Sequence, residues 1–185
     1  MQENAEILPL TAQNWTDFET LFGKHGASGG CWCMWFRLTK VQFECQRGEG
    51  NREALKKITM EGNVPGLIAC VDGVPAGWVS VAPRAEFSRL ARSNVTKAVD
   101  DQPVWSVVCF YIAKPYRKQD LSTTLLKAAV DYARQQGAKI VEGYPVDTGE
   151  SPVADSAADH GTMSTFEKIG FKEVARRSKG RPVMR

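Results

Sequence analysis

One segment constrains the fold more than any other: Val107 to Gly137, VVCFYIAKPYRKQDLSTTLLKAAVDYARQQG. Val107 to Ile112 form a short apolar run rich in β-branched and aromatic residues, bounded by Pro103 and Pro115. Such a run predicts a strand covered on both faces. Leu121, Leu125, Ala128, Ala129, Tyr132 and Ala133 then recur at helical spacing, with Lys127, Asp131 and Arg134 outside the stripe. Asp120 or Ser122 is placed to cap this helix, and Gly137 to end it in a left-handed conformation. Strand, basic turn and helix in that order aim a row of backbone N–H groups and the positive end of a helix dipole toward whatever sits beside the turn. That combination attracts phosphate.

The remaining elements fit around this unit. Ile7 to Leu10 suits a first strand, and Thr11 opens a helix with Trp15, Phe18, Leu21 and Phe22 on one face. Asn51 is read as the cap of a second helix that buries Ala54, Leu55 and Ile58. Two apolar runs between Gly66 and Ala82 flank Asp72-Gly73, a hairpin signal. Residues 86–99 read as helical or irregular, 138–147 as a strand, and 148–159 as a polar loop. A short helix over 162–169 and a closing pair of strands around Ser178-Lys179-Gly180 complete the pattern.

A chain of 185 residues with no repeat and no dividing linker predicts one domain over 1–185. Its net charge of +3 is spread along the sequence and argues against a nucleic-acid partner. No apolar stretch is long enough for a membrane span, and the N-terminus lacks the pattern of a signal peptide. Five cysteines, an odd number in a core-forming chain, fit a reducing cytoplasmic setting.

The turn Arg117-Lys118-Gln119-Asp120-Leu121-Ser122 resembles the acyl-CoA loop of the GNAT superfamily of N-acetyltransferases, whose pattern is Arg or Gln, two variable residues, Gly, one variable residue, then Gly or Ala. Arg117 matches, Ser122 is suitably small, and Asp120 stands where the family has glycine. Phe166-Glu167-Lys168-Ile169-Gly170-Phe171 resembles the family's late helix-to-strand signature. Together with the element order, these resemblances imply a GNAT-like α/β (α+β) fold. It has a mixed central sheet of about six to seven strands flanked by about four helices. They imply acetyl-CoA as co-substrate, no metal, and direct transfer of an acetyl group to an amine of a small molecule or peptide within a ternary complex. A catalytically weakened acyl-CoA-binding or regulatory module is the alternative, and a homodimer is an assembly the fold allows.

By the same resemblance, backbone N–H groups of Phe110, Tyr111 and Ile112 are assigned to the pantetheine arm and the thioester carbonyl. The loop residues Arg117, Lys118, Gln119, Asp120, Leu121, Ser122 and Thr123 are assigned to the pyrophosphate. Asp120 is expected to weaken CoA binding without abolishing it, because its side chain and charge stand where glycine lets the backbone approach phosphate. An alkylamine with a pKa of about 10.4 needs help to lose its proton. Glu142 and His160 are candidate bases, Glu142 because a carboxylate is unusual in such a strand. Phe166 matches the position of a family tyrosine and has no proton to give to the departing sulfur, so Tyr144 or a water is the substitute. In the aromatic loop, Cys31, Trp32, Trp35 and Arg37 are candidates for the acceptor pocket, with a hydrophobic plug under the first helices as the competing reading. The Cys-x-Cys spacing of Cys31 and Cys33 lacks a second ligand pair for zinc.

Overall fold

The computed structural model describes residues 5–149 and 161–185. A seven-stranded sheet runs through them in the order β1-β2-β3-β4-β5-β7-β6. The strands are β1 (Ala5–Pro9), β2 (Gly66–Val71), β3 (Val74–Pro83), β4 (Trp105–Ile112), β5 (Val141–Gly143), β6 (Glu173–Arg176) and β7 (Pro182–Met184). Only β4 and β5 pair in parallel, as a strand–helix–strand crossover requires. Asp72 and Gly73 both take positive φ, +50° and +76°, the geometry of a type I′ hairpin turn between β2 and β3.

Alternation along β2 and β3 divides the core. Leu67, Ala69, Val79 and Val81 face α5 (Leu121–Gln135) and α6 (Met163–Lys168). Ile68 and Trp78 face the opposite way, into Trp15, Phe18 and Phe22 of α1 (Trp15–Phe22) and Leu55 of α3 (Glu49–Met60). A third cluster gathers Phe87 and Leu90, around α4 (Ser88–Arg92), with Phe36, Val108, Tyr144 and Val183.

The α5 stripe is buried as its spacing predicts, at Leu121, Leu125, Ala129 and Ala133, with Leu126 added. Gly137 has φ +89°. The N–H of Ala138 reaches Ala133 O at 2.9 Å and that of Gly137 reaches Arg134 O at 2.9 Å, the two bonds of a Schellman ending.

Three details differ from the sequence reading. There are six α-helices among the described residues rather than about four, because α2 (Lys40–Cys45) and α4 are short helices inside stretches that carry no long periodic stripe. Asn51 does not cap α3: the helix starts two residues earlier, and the buried Asn51 side chain donates to Gly30 O at 2.9 Å, tying α3 to the Gly-rich bend. The strand expected over 138–147 is ordered as β5 only at Val141–Gly143. Val146 then makes an isolated parallel bridge to Thr162. Most of the polar loop over 148–159, and His160, lie outside the described residues.

Candidate active site

Strand β4 carries the central irregularity. Val81 pairs with Val107 and Ser80 with Cys109, so Val108 is an extra residue, a β-bulge. The parallel pairing of β4 with β5 covers only Trp105–Val107 against Val141–Gly143. Beyond Val107 the two strands no longer pair, and β4 presents an edge toward the gap.

The register decides which backbone groups face that gap. Ala113 N–H donates to Ala76 O on β3 at 2.9 Å. Alternation of an antiparallel ladder then turns the polar groups of Tyr111 toward Trp78 on β3 and those of Phe110 and Ile112 toward the gap. Arg117 Nε donating to Ile112 O at 3.1 Å agrees with this direction. The three strand residues singled out from sequence thus divide: Phe110 and Ile112 present backbone to the opening, while Tyr111 spends its backbone on the sheet.

The turn into α5 lies at the end of β4. Lys118 (φ +60°) and Asp120 (φ +63°) both sit in the left-handed region, on either side of Gln119. Asp tolerates this conformation better than most residues other than glycine, which gives a backbone reason for glycine at this position in the family pattern. Asp120 occupies the N-cap position of α5, but its side chain accepts no hydrogen bond from the first-turn N–H groups. Its carboxylate accepts from Thr123 Oγ1 at 2.9 Å and lies 3.2 Å from Lys168 Nζ. The Thr123 hydroxyl and then Lys168 hold the Asp120 carboxyl below the usual carboxylate range. Gln119 donates to Pro115 O at 2.8 Å, bracing the turn, and Leu121 is anchored in the core. A positively charged turn with an uncapped helix start fits a pyrophosphate.

Glu142 and Tyr144 sit in a different environment from the one expected of a free base and acid. Glu142 is fully buried. Its Oε1 accepts from Tyr144 OH at 2.7 Å and Arg84 Nη1 at 3.1 Å, and its Oε2 accepts from Arg185 Nε at 3.0 Å. Arg84 also bonds the Tyr144 hydroxyl and Thr96 O, and Arg185 forks onto both oxygens of Asp100, at 2.6 and 2.9 Å. Ser106 Oγ lies 2.9 Å from the Tyr144 hydroxyl. Burial, followed by the Glu142 charge, pushes the Tyr144 hydroxyl well above its ordinary range. This network ties the chain's last residue, the segment 96–100 and β5 to the sheet. Sequence reasoning missed Arg84, Ser106, Asp100 and Arg185, since nothing local links residues so far apart in the chain.

Phe166 is wholly buried and packs edge-on against Phe110 and Phe171, with ring centroids 6.3 and 5.0 Å apart. A Cβ on Gly143 would come within 2.1 Å of its ring, so glycine at 143 is what admits the phenylalanine. Phe166 and Tyr144 belong to different core clusters, and the Tyr144 hydroxyl is bonded to Glu142, Arg84 and Ser106.

The aromatic loop is mostly plug. Trp32, Cys33 and Met34 are buried in the cluster with Phe18 and Trp78, and Trp78 Nε1 donates to Cys33 Sγ at 3.1 Å. Cys31 is partly buried beside them, and burial pushes its thiol up to about 11. Arg37 is spent on the fold: it pairs with Glu86 at 2.6 Å, donates to Pro65 O and lies over the Phe87 ring. Trp32 borders a shallow pocket with Glu19, Gly23, Lys24, Gly48, Glu49 and Arg52, while Trp35 lines a separate one. The latter, about 650 Å³, is walled by Trp35, Phe36, Lys40, Arg89, Arg92 and Arg181, with Thr39, Val41, Ser93, Val95 and Thr96 completing it. Among the described residues no helix is long and apolar enough to cross a membrane.

A family model described as Acetyltransferase (GNAT) family matches residues 32–149. No curated protein matches the chain. Among solved structures, an aminoglycoside N-acetyltransferase AAC(6')-Iy in complex with CoA superposes with a TM-score of 0.56 at 13% identity, over 94% of this chain and 91% of that one. A GNAT-family acetyltransferase from Streptococcus agalactiae also gives 0.56, at 12% identity, over 98% of this chain and 94% of that one. PaiA N-acetyltransferase from Thermoplasma acidophilum, in complex with coenzyme A, gives 0.52 at 16% identity, over 98% and 97%. At these identities the structures speak for the fold. The bulged β4, its parting from β5, the uncapped turn into α5 and the family match over more than half the sequence agree: this chain belongs to the GNAT family of acetyltransferases.

Proposed function

We propose that the protein is an acetyl-CoA-dependent N-acyltransferase that moves an acetyl group to an amine of a small molecule or peptide by direct attack within a ternary complex. The observation that carries this reading is the gap between β4 and β5. It sets the backbone of Phe110 and Ile112 beside the uncapped start of α5. The thioester supplies an activated acetyl group. Phe110 and Ile112 N–H groups orient its carbonyl oxygen and stabilise negative charge that develops there. The turn 117–123 holds the pyrophosphate through its backbone donors, with Lys118 adding charge.

Proton handling differs from the pattern implied by the family resemblance. Both oxygens of Glu142 are engaged by arginines, so water is the better carrier of the amine's proton. The sulfur leaves as a thiolate of pKa about 8.5, which needs no acid at neutral pH, so Phe166 is compatible with turnover. The absence of a hydroxyl at Phe166 and the saturation of Glu142 also favour a second reading, an acyl-CoA-binding regulatory module with little turnover.

Calorimetry with acetyl-CoA and a thiol-release assay over an amine panel separate the two. Micromolar binding with amine-dependent CoA release supports the transferase. Binding without release across the panel supports the regulatory module, and no binding of acetyl-CoA ends both.

A further inference from the structure

The pocket beneath α4 is cationic and aromatic at once. Four of its lining side chains are Lys40, Arg89, Arg92 and Arg181, and none of its lining residues is acidic. Arg89 lies flat on the exposed Trp35 ring, 3.7 Å from its centroid, and its Nε donates to Trp35 O. The same guanidinium's Nη2 is buried with no hydrogen-bond partner among the described residues. Guanidinium groups that line a cavity without a carboxylate partner pair well with an anionic oxygen. Arg181 donates to Tyr144 O at 2.9 Å and makes no ion pair among the described residues. Burial lowers the pKa of both Arg89 and Arg181. The carboxylate that acts on Arg89 from outside the lining, Glu44, is paired with Arg47 at 2.6 Å.

One wall residue of the pocket belongs to the core cluster that holds the bulge residue. The wall residue, Phe36, packs in one cluster with Val108 and Tyr144, and Val108 is two residues from Phe110. The pocket's Thr96 carbonyl is held by Arg84 of the Glu142 network.

We infer that this pocket is the acceptor site and that it takes an amine bearing an anionic group, a carboxylate or a phosphate, in preference to a polycationic amine. This rests on the acyltransferase reading. Arg89 and Arg92 bind the anionic group, the Trp35–Arg89 stack forms the wall beside it, and the amine end is directed toward β4. Four like charges around the mouth disfavour spermidine-like or aminoglycoside-like acceptors.

The test uses the whole chain with acetyl-CoA and four amines: aspartate, phosphoethanolamine, ethanolamine and spermidine. The expected result is a kcat/KM for aspartate or phosphoethanolamine at least about tenfold above that for ethanolamine and spermidine. Whichever of the two leads identifies carboxylate or phosphate as the group bound. Arg92→Gln, at an exposed position, and Arg89→Gln are each expected to raise KM for the anionic amine about fivefold to tenfold, with acetyl-CoA affinity retained. Ethanolamine or spermidine performing as well as the anionic amines overturns the inference. Should no amine react, calorimetry with succinate and inorganic phosphate decides. Binding that weakens in Arg92→Gln upholds the anion site, and no binding by a protein that still binds acetyl-CoA overturns it. Loss of acetyl-CoA binding itself counts against the acyltransferase reading, while the succinate and phosphate titrations still judge the pocket.

Discussion

We propose anionic partners for both the turn into α5 and the pocket beneath α4, yet the two present positive charge by different physics. The turn uses backbone: left-handed Lys118 and Asp120, a helix start without a side-chain cap, and N–H groups whose direction follows from the chain path. The pocket uses side chains drawn from residues 35–41, 89–96 and 181, held by stacking and by bonds to carbonyls such as Trp35 O and Tyr144 O. A backbone site tolerates substitution so long as the fold is kept. A side-chain site is lost or retuned by single changes. The difference teaches that one ligand face can be shared across distant relatives while the other is specific to a chain.

Between the two regions lies the Glu142 network, and it provides the largest expected effect. Glu142→Ala leaves Arg84 and Arg185 without their buried carboxylate. Breaking such a pair costs about 3–5 kcal/mol. For a chain of this size that lowers the melting temperature by roughly 6–20 °C, measured by circular dichroism or calorimetry. A Glu142→Gln protein that keeps its melting temperature and loses only kcat would instead make Glu142 a base and unite it with the catalytic backbone.

The next effect concerns the wall behind β4. Gly143→Ala forces a methyl group into the Phe166 ring. Overpacking of this kind costs about 1–3 kcal/mol. The melting temperature should fall by a few degrees, and pairing the change with Phe166→Leu should recover part of the loss. Equal stability of Gly143→Ala and the parent would mean that α6 shifts freely, so the cleft wall is not rigid.

The smallest effect is at the turn. Asp120→Gly removes a carboxylate already offset by Lys168 and exposed to solvent, so the gain is within the range of a surface pair, about 0–1 kcal/mol. Acetyl-CoA affinity should tighten by about threefold in calorimetry. A hundredfold gain would show that Asp120 obstructs the anion site. A loss would show that its contacts with Thr123 and Lys168 hold the turn in shape.

How much of this was legible in sequence varies by region. The β4–α5 unit, the Asp72-Gly73 hairpin and the buried face of α1 follow from local periodicity and turn chemistry, and the structure keeps them. Asn51 misled, because a polar side chain suited to a cap also serves as a buried link, here to Gly30 O. Trp32 and Trp35 look alike in sequence, three residues apart. The left-handed backbone at Trp32 and Cys33 is where the chain turns one ring into the core and leaves the other at the surface.

What the sequence determined by itself is what short-range forces decide: the order of the main strands and helices, the glycine ending of α5, the basic turn and the mixed sheet they imply. What only the tertiary structure decided is the pairing of residues distant along the chain. The register of β3 on β4 sets that Phe110 and Ile112, not Tyr111, face the opening. Packing sets that Glu142 meets Arg84 and Arg185 in the interior, and that Arg89 and Arg181 converge on a pocket without a carboxylate among its lining residues. Charge acts through space and burial, and a linear pattern carries neither until the sheet has closed.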